Sequence, residues 1–163
     1  MILRIVAVLA LSAGALHAQD LPYSDTPTLS CLQDAETYTA RLACAGASAQ
    51  ACIDTPEGGS TVGTGGCLDR ERLFWDALLN EYYQAALSQA VAYDKDLDAL
   101  DSATPRQAVA LRAMQRSWIV FRDAACAYEA SRWGGGTGAG PAAIGCAMQQ
   151  TARQALSLQD WSR

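Results

Sequence analysis

Six cysteines, Cys31, Cys44, Cys52, Cys67, Cys126 and Cys146, lie in a chain of 163 residues, and they restrict its possible folds more than any other feature. In an exported protein an even count reads as disulfides; in a reducing compartment it reads as metal ligands or reactive thiols. The N-terminal stretch decides between these. Residues 1–18, MILRIVAVLALSAGALHA, carry a positive start at Arg4, an apolar run from Ile5 to Leu16 too short to span a bilayer, and small residues after it. That is the pattern of a secretory signal peptide, with cleavage expected after Ala15 or Ala18. No cysteine follows the apolar run directly and no twin arginine occurs, so no lipid anchor is expected and the general secretion route is. No later run is apolar enough to cross a membrane. The expected location is the periplasm or the cell exterior, and the cysteines are expected to be disulfide-bonded.

Six cysteines allow fifteen connectivities. Cys126 and Cys146 flank a glycine-rich segment and are expected to pair; Cys31, Cys44, Cys52 and Cys67 are expected to pair among themselves, in an order the spacing leaves open. A zinc site is disfavoured, because no C-x-x-C pair occurs and the single histidine, His17, is removed with the signal peptide. Without histidine the exported chain cannot build a Ser-His-Asp or Cys-His catalytic arrangement. No metal and no cofactor are expected. Loss of Arg4 takes the formal charge from −5 to −6, which gives no electrostatic reason to bind nucleic acid or an anionic membrane and an attraction to basic proteins.

Hydrophobic periodicity predicts an all-α protein: a small helical bundle of three main helices plus a short N-terminal helical module, stapled by disulfides. Residues 19–27 read as a flexible start, and 28–163 as one domain, in which 28–66 form a cysteine-rich module and 67–163 the core helices. Ser30-Cys31-Leu32-Gln33 has the form of a capping box opening the first helix. Residues 54–66, DTPEGGSTVGTGG, read as a loop. A long helix from about Cys67 to Asp94 carries Leu68, Trp75, Leu79, Ala86 and Ala90 on one stripe. Thr104-Pro105-Arg106-Gln107 predicts the next helix start, followed by the stripe Leu111, Met114, Trp118, Phe121, Ala125 up to Trp133. Pro141 restarts helix to about Trp161.

The segment 134–141, GGGTGAGP, lacks the Lys-Ser or Lys-Thr and the preceding strand of a phosphate loop, and reads as a flexible hairpin. Glu71 with Asp76, or Asp123 with Glu129, could in principle supply an acid and a base, but nothing in their spacing singles them out, and no catalytic residue is assigned. More informative is QRSWIVFRDAAC, residues 115–126, where Gln115, Arg116, Arg122 and Asp123 stand among large apolar residues. Gln115, Trp118, Arg122 and Cys126 fall along one side of a helix; Asp76, Asn80 and Tyr83 do so on the preceding long helix, and Cys146, Gln149 and Arg153 on the last. A buried charge needs a partner. Packing these stripes together predicts a structural polar network in which Arg122 meets Asp76 or Glu71, while Asn80 and Gln115 satisfy the remaining donors and acceptors.

The chain resembles the lysozyme inhibitor LprI N-terminal-like domain family. The resemblance rests on C-x-x-x-E at Cys67 and Glu71, WDALLNEYY at 75–83, LRAMQRSWIVFRDAAC at 111–126, WGGGTGAGPAAIGC at 133–146 and TARQAL at 151–156. Asn80, Tyr83, Trp118, Arg122 and Cys126 match its pattern. The resemblance implies a small exported helical domain crosslinked by disulfides, with a role in binding and inhibiting lysozyme. Inhibition would act by occlusion: lysozymes of the common type are basic and work through two carboxylates in a cleft, and an acidic inhibitor is steered toward them. The groups expected to enter the cleft lie on the two glycine-rich loops, Asp54 and Glu57 on the first, Trp133 and Thr137 on the second. The expected partner is a lysozyme or another basic envelope protein. The competing readings are a structural or assembly protein of the envelope with no enzyme target and, more remotely, a hydrolase working with carboxylates alone.

Overall fold

The computed structural model describes residues 20–162; the expected signal peptide, its cleavage after Ala15 or Ala18, and His17 lie outside the described residues. The fold is all-α. Among the described residues six helices follow in order: α1 Thr26–Asp34, α2 Tyr38–Ala43, α3 Ala47–Ile53, α4 Thr61–Ala99, α5 Gln107–Ser131 and α6 Ala139–Trp161. The three long ones form the bundle; of the short ones α3 packs on α4, α2 on α6, and α1 on α2 and α3. No helix among the described residues is long and apolar enough to cross a membrane.

The bundle is built around α4 and α6, which share the most extensive interface. Trp75 and Leu79 of α4 meet Met148, Ala152, Ala155, Leu156 and Leu158 of α6, and Ala49 of α3 closes the cluster. Ala152 and Ala155 have no exposed surface. Their small side chains leave room for the Trp75 indole, which is also completely buried and is the largest group in the core.

Disulfides join Cys31 to Cys44, Cys52 to Cys67 and Cys126 to Cys146. The first closes the α1–α2 corner, the second ties α3 to α4, and the third ties α5 to α6. Isolated helices of this length are marginal in water, so the short helices depend on tertiary contacts and these bonds to hold their positions.

Local signals and tertiary contacts disagree at four places. The first helix opens at Thr26 with Pro27 in its first turn, rather than at the Ser30 capping box. The loop expected over 54–66 is shorter, since Ser60 Oγ accepts from Gly63 N at 2.9 Å and starts α4 at Thr61. Helix then runs through Gly63, Gly65 and Gly66, because Cys67 is bonded to Cys52 and Gly65 packs beneath Ile144 and Pro141. Thr104 does not cap α5. Asp94 of α4 does so across the turn, its carboxylate accepting from Gln107 N at 2.7 Å and Ala108 N at 2.9 Å. Finally, Phe121 is 59% exposed. The Cys126–Cys146 bond turns Cys126 inward, and Phe121 lies about 140° around the helix from it.

Candidate functional site

The residues expected to form one polar network occupy separate places. Glu71 has no exposed surface, and its partners are not arginines. Oε1 accepts from Thr28 Oγ1 at 2.9 Å, Gly46 N at 2.7 Å and Trp75 Nε1 at 3.1 Å; Oε2 accepts from Ala49 N at 2.6 Å. Two of these donors are backbone groups at the start of α3, so Glu71 caps that helix from α4. Thr28 and Ser48 complete the cluster: Ser48 N donates to Thr28 Oγ1 and Thr28 N to Ser48 Oγ, both at 3.0 Å. Tyr23 lies close by. Burial pushes its phenol well above the usual tyrosine range, and the negative charges of Asp25 and Glu71 push it the same way.

Arg122 meets neither Asp76 nor Glu71. Its guanidinium sits 5.0 Å from the Trp118 ring centroid, one turn back along α5, and bonds Asp123 Oδ1 through Nε at 2.9 Å and Nη2 at 2.7 Å. Stacking over an aromatic face lets the stem be covered while the head stays wet, so no buried countercharge is required. Asp76 accepts instead from Asn80 Nδ2, one turn along α4. Gln115 accepts from Gln154 Nε2 at 3.0 Å, a pairing of α5 with α6. Tyr83 packs half-buried on the core, and Arg153 is exposed with a 3.4 Å contact to Gln150.

The two glycine-rich loops do come together. Gly59, Thr61, Thr64 and Leu68 from the first loop and the start of α4 face Trp133, Gly138, Pro141 and Ala142 across one open cleft of about 400 Å³. The first loop is held by its own hydrogen bonds: Thr55 Oγ1 donates to Cys52 O at 2.7 Å and accepts from Gly58 N at 3.2 Å, and Thr64 Oγ1 donates to Gly58 O at 3.2 Å. Asp54 and Glu57 stand exposed on it. In the second loop Gly134 and Gly135 take left-handed φ values of 56° and 82°, which reverse the chain after α5. The Trp133 indole then packs against Gly138, where a Cβ would come within 2.3 Å of the ring. Even so the indole is 52% exposed, and Thr137 is exposed beside it. A half-exposed tryptophan thus stands at the mouth of the cleft.

A second cleft, of about 320 Å³, went unrecognised in the sequence. Leu29, Leu32, Leu78 and Leu156 line it together with Arg41, Tyr82 and Gln159. Arg41 bonds Gln159 Oε1 and reaches Asp160 Oδ1 at 2.7 Å, while its buried Nε has no acceptor among the described residues. No periodicity could have signalled it, since its walls come from α1, α2, α4 and α6. No group of histidine, cysteine, aspartate and glutamate suited to a metal occurs among the described residues.

The chain is 30% identical over 94 residues to uncharacterized protein R02472 of Rhizobium meliloti (strain 1021), a match covering 58% of this chain and 68% of that one. It is 28% identical over 136 residues to the uncharacterized 17.7 kDa protein in the puhA 5'region of Rhodobacter capsulatus, covering 81% of this chain and 82% of that one. No solved structure matches. Residues 52–158, from the α3–α4 disulfide to the last buried leucine of α6, match the family described as Lysozyme inhibitor LprI, and the chain belongs to that family.

Proposed function

We propose that this protein is an exported protein-binding module that inhibits a lysozyme by occluding its cleft, and that it is not an enzyme. The observation that carries the reading is the meeting of the two glycine-rich loops around one cleft with Trp133 half-exposed at its edge. Family membership supports the target class. Three disulfides support an oxidising location, the periplasm or the cell exterior.

In this reading the Trp133 indole enters the enzyme cleft and excludes substrate. Its seat on Gly138 means that little side-chain freedom is lost on binding. Asp54 and Glu57 supply charge on the neighbouring loop, steering a basic enzyme toward this end of the molecule. Nothing here requires bond chemistry from the inhibitor.

The test is a titration of chicken-type and goose-type lysozymes with the oxidised protein, at low and moderate salt. Stoichiometric inhibition of one type is expected, weakening as salt rises. Trp133→Ala should raise the inhibition constant by about 30-fold or more, the loss of a central anchor. Asp54→Asn with Glu57→Gln should mainly slow association and flatten the salt dependence. Inhibition that survives Trp133→Ala unchanged would remove the loops from the mechanism. No inhibition of either type would leave an envelope structural or assembly role as the better reading.

A further inference from the structure

We propose that the outer face of α5 is a self-association surface, and that two copies of this protein pair through antiparallel α5 helices about a two-fold axis at Val120. Of the 25 residues of α5, only Ala108, Gln115 and Cys126 are buried. The opposite side is apolar where a solvated helix would be polar. Val109, Ala113, Val120, Ala124 and Ala127 run down its centre at helical spacing, and all are exposed, with Val120 71% and Val109 64%. Phe121 and Tyr128 flank this stripe on one side, at 59% and 70% exposure.

The amount of surface suits a second copy. Val109, Ile119, Val120, Phe121 and Tyr128 together leave on the order of 500 Å² of apolar side chain in water, at the upper end for a patch on a monomer. An isologous contact counts the patch twice, giving roughly 1,000 Å² before the alanines and charged stems are added, the size at which specific interfaces begin.

The charges suit an antiparallel pair. On the flank opposite Phe121 and Tyr128, Arg112 and Arg116 are exposed and form no ion pair among the described residues. Asp123 lies on the same flank, two turns beyond Arg116, 63% exposed even though it pairs with Arg122. With the two-fold axis at Val120, each Arg116 lies beside Asp123 of the second copy, twice per dimer, while Val120 meets its own counterpart and Ala113 meets Ala127. Parallel helices would set the arginine flank of one copy against the Phe121 and Tyr128 flank of the other, leaving Arg116 without this acidic partner. The small residues in the centre let two backbones approach closely. Two arginines on this face also make it unsuited to a basic enzyme, so the surface does not compete with the loops for that target. In an antiparallel pair the loop ends, which follow the C-terminus of α5, point in opposite directions, so both copies keep them free.

Sedimentation velocity and light scattering on the oxidised protein, from about 1 to about 200 µM, read the mass directly. A two-protomer mass is expected within that range. Val120→Glu should weaken the dimer by about 30-fold or more, with helical content unchanged, and with the thermal midpoint unchanged at concentrations where the parent is a single protomer, because Val120 is 71% exposed. Arg116→Glu should weaken it, and Arg116→Glu combined with Asp123→Lys should restore it; restoration requires these two positions to face each other across the contact. A single-protomer mass up to about 200 µM overturns the proposal. So does a dimer that Val120→Glu leaves intact, since another face must then hold it. If Val120→Glu alters the circular dichroism, Phe121→Lys on the same face takes its place, and a dimer it leaves intact overturns the proposal equally. Each outcome is independent of whether a lysozyme is inhibited.

Discussion

Replacing Glu71 tests the central packing claim, that one buried carboxylate holds the N-terminal helices on the bundle. Its four contacts are all donors, and three of them, Gly46 N, Ala49 N and Trp75 Nε1, can do nothing but donate. In Glu71→Gln the amide oxygen can keep the three donors now on Oε1, but the new NH₂ then faces Ala49 N–H. That leaves one buried donor unsatisfied and two donors opposed, a cost of about 1–3 kcal/mol. The remaining bonds also lose charge assistance, partly offset because a charge no longer has to be desolvated. Glu71→Met fills a similar volume yet leaves all three obligate donors without acceptors, and two of them are backbone groups that no compensating substitution can remove. Its cost should be about 3–5 kcal/mol. Urea unfolding under non-reducing conditions reads both, as a shift in midpoint at constant slope. Amide exchange at Ala49 should rise in both variants. Glu71→Gln within about 0.5 kcal/mol of the parent, or Glu71→Met as stable as Glu71→Gln, would refute the reasoning.

Asp94→Ala removes the acceptor for Gln107 N and Ala108 N and should cost about 1–2 kcal/mol, as loss of a helix cap does; Asp98→Ala, which breaks a surface pair with Arg106 in which Asp98 is 67% exposed, should cost no more than about 1 kcal/mol, and the same urea series compares them. The pH dependence follows from Tyr23, whose folded pKa lies above its unfolded value, near 10. The folded state holds this proton more tightly, so its contribution is complete below about pH 10 and is lost as pH rises beyond it. Unfolding free energy measured from pH 8 to 11 should therefore fall at the alkaline end, and Tyr23→Phe should flatten that fall; an unchanged fall in the variant would assign it to other groups.

The polar groups divide by how far their signals reach. Trp75 and Leu79 read as core because helical periodicity is a local property, and they are core. Arg122 stands out as a charge among apolar neighbours, and Asp76 or Glu71 is its expected partner. Two of the four donors that Glu71 takes are backbone N–H groups at the start of α3, which are present in every sequence and so invisible in this one. Arg122 found its neighbours one residue on and one turn back along its own helix. The start of α5 shows the same limit: Thr104 and Pro105 have the form of a start signal, but the acceptor that caps the helix comes from Asp94.

By itself the sequence determined the helical class, the three long helices and the membership of the LprI family, because patterning, breakers and a string of short motifs are all properties of neighbouring residues. Only the tertiary structure decided which charges are buried, which cysteines among the first four join, which side of α5 faces out, and that two distant loops share one cleft. Those depend on the rotation of each helix about its axis and on its docking against the others. That rotation is set by packing α4 on α6 and by where the disulfides pin α5 and α3, distances through space that one-dimensional spacing does not contain.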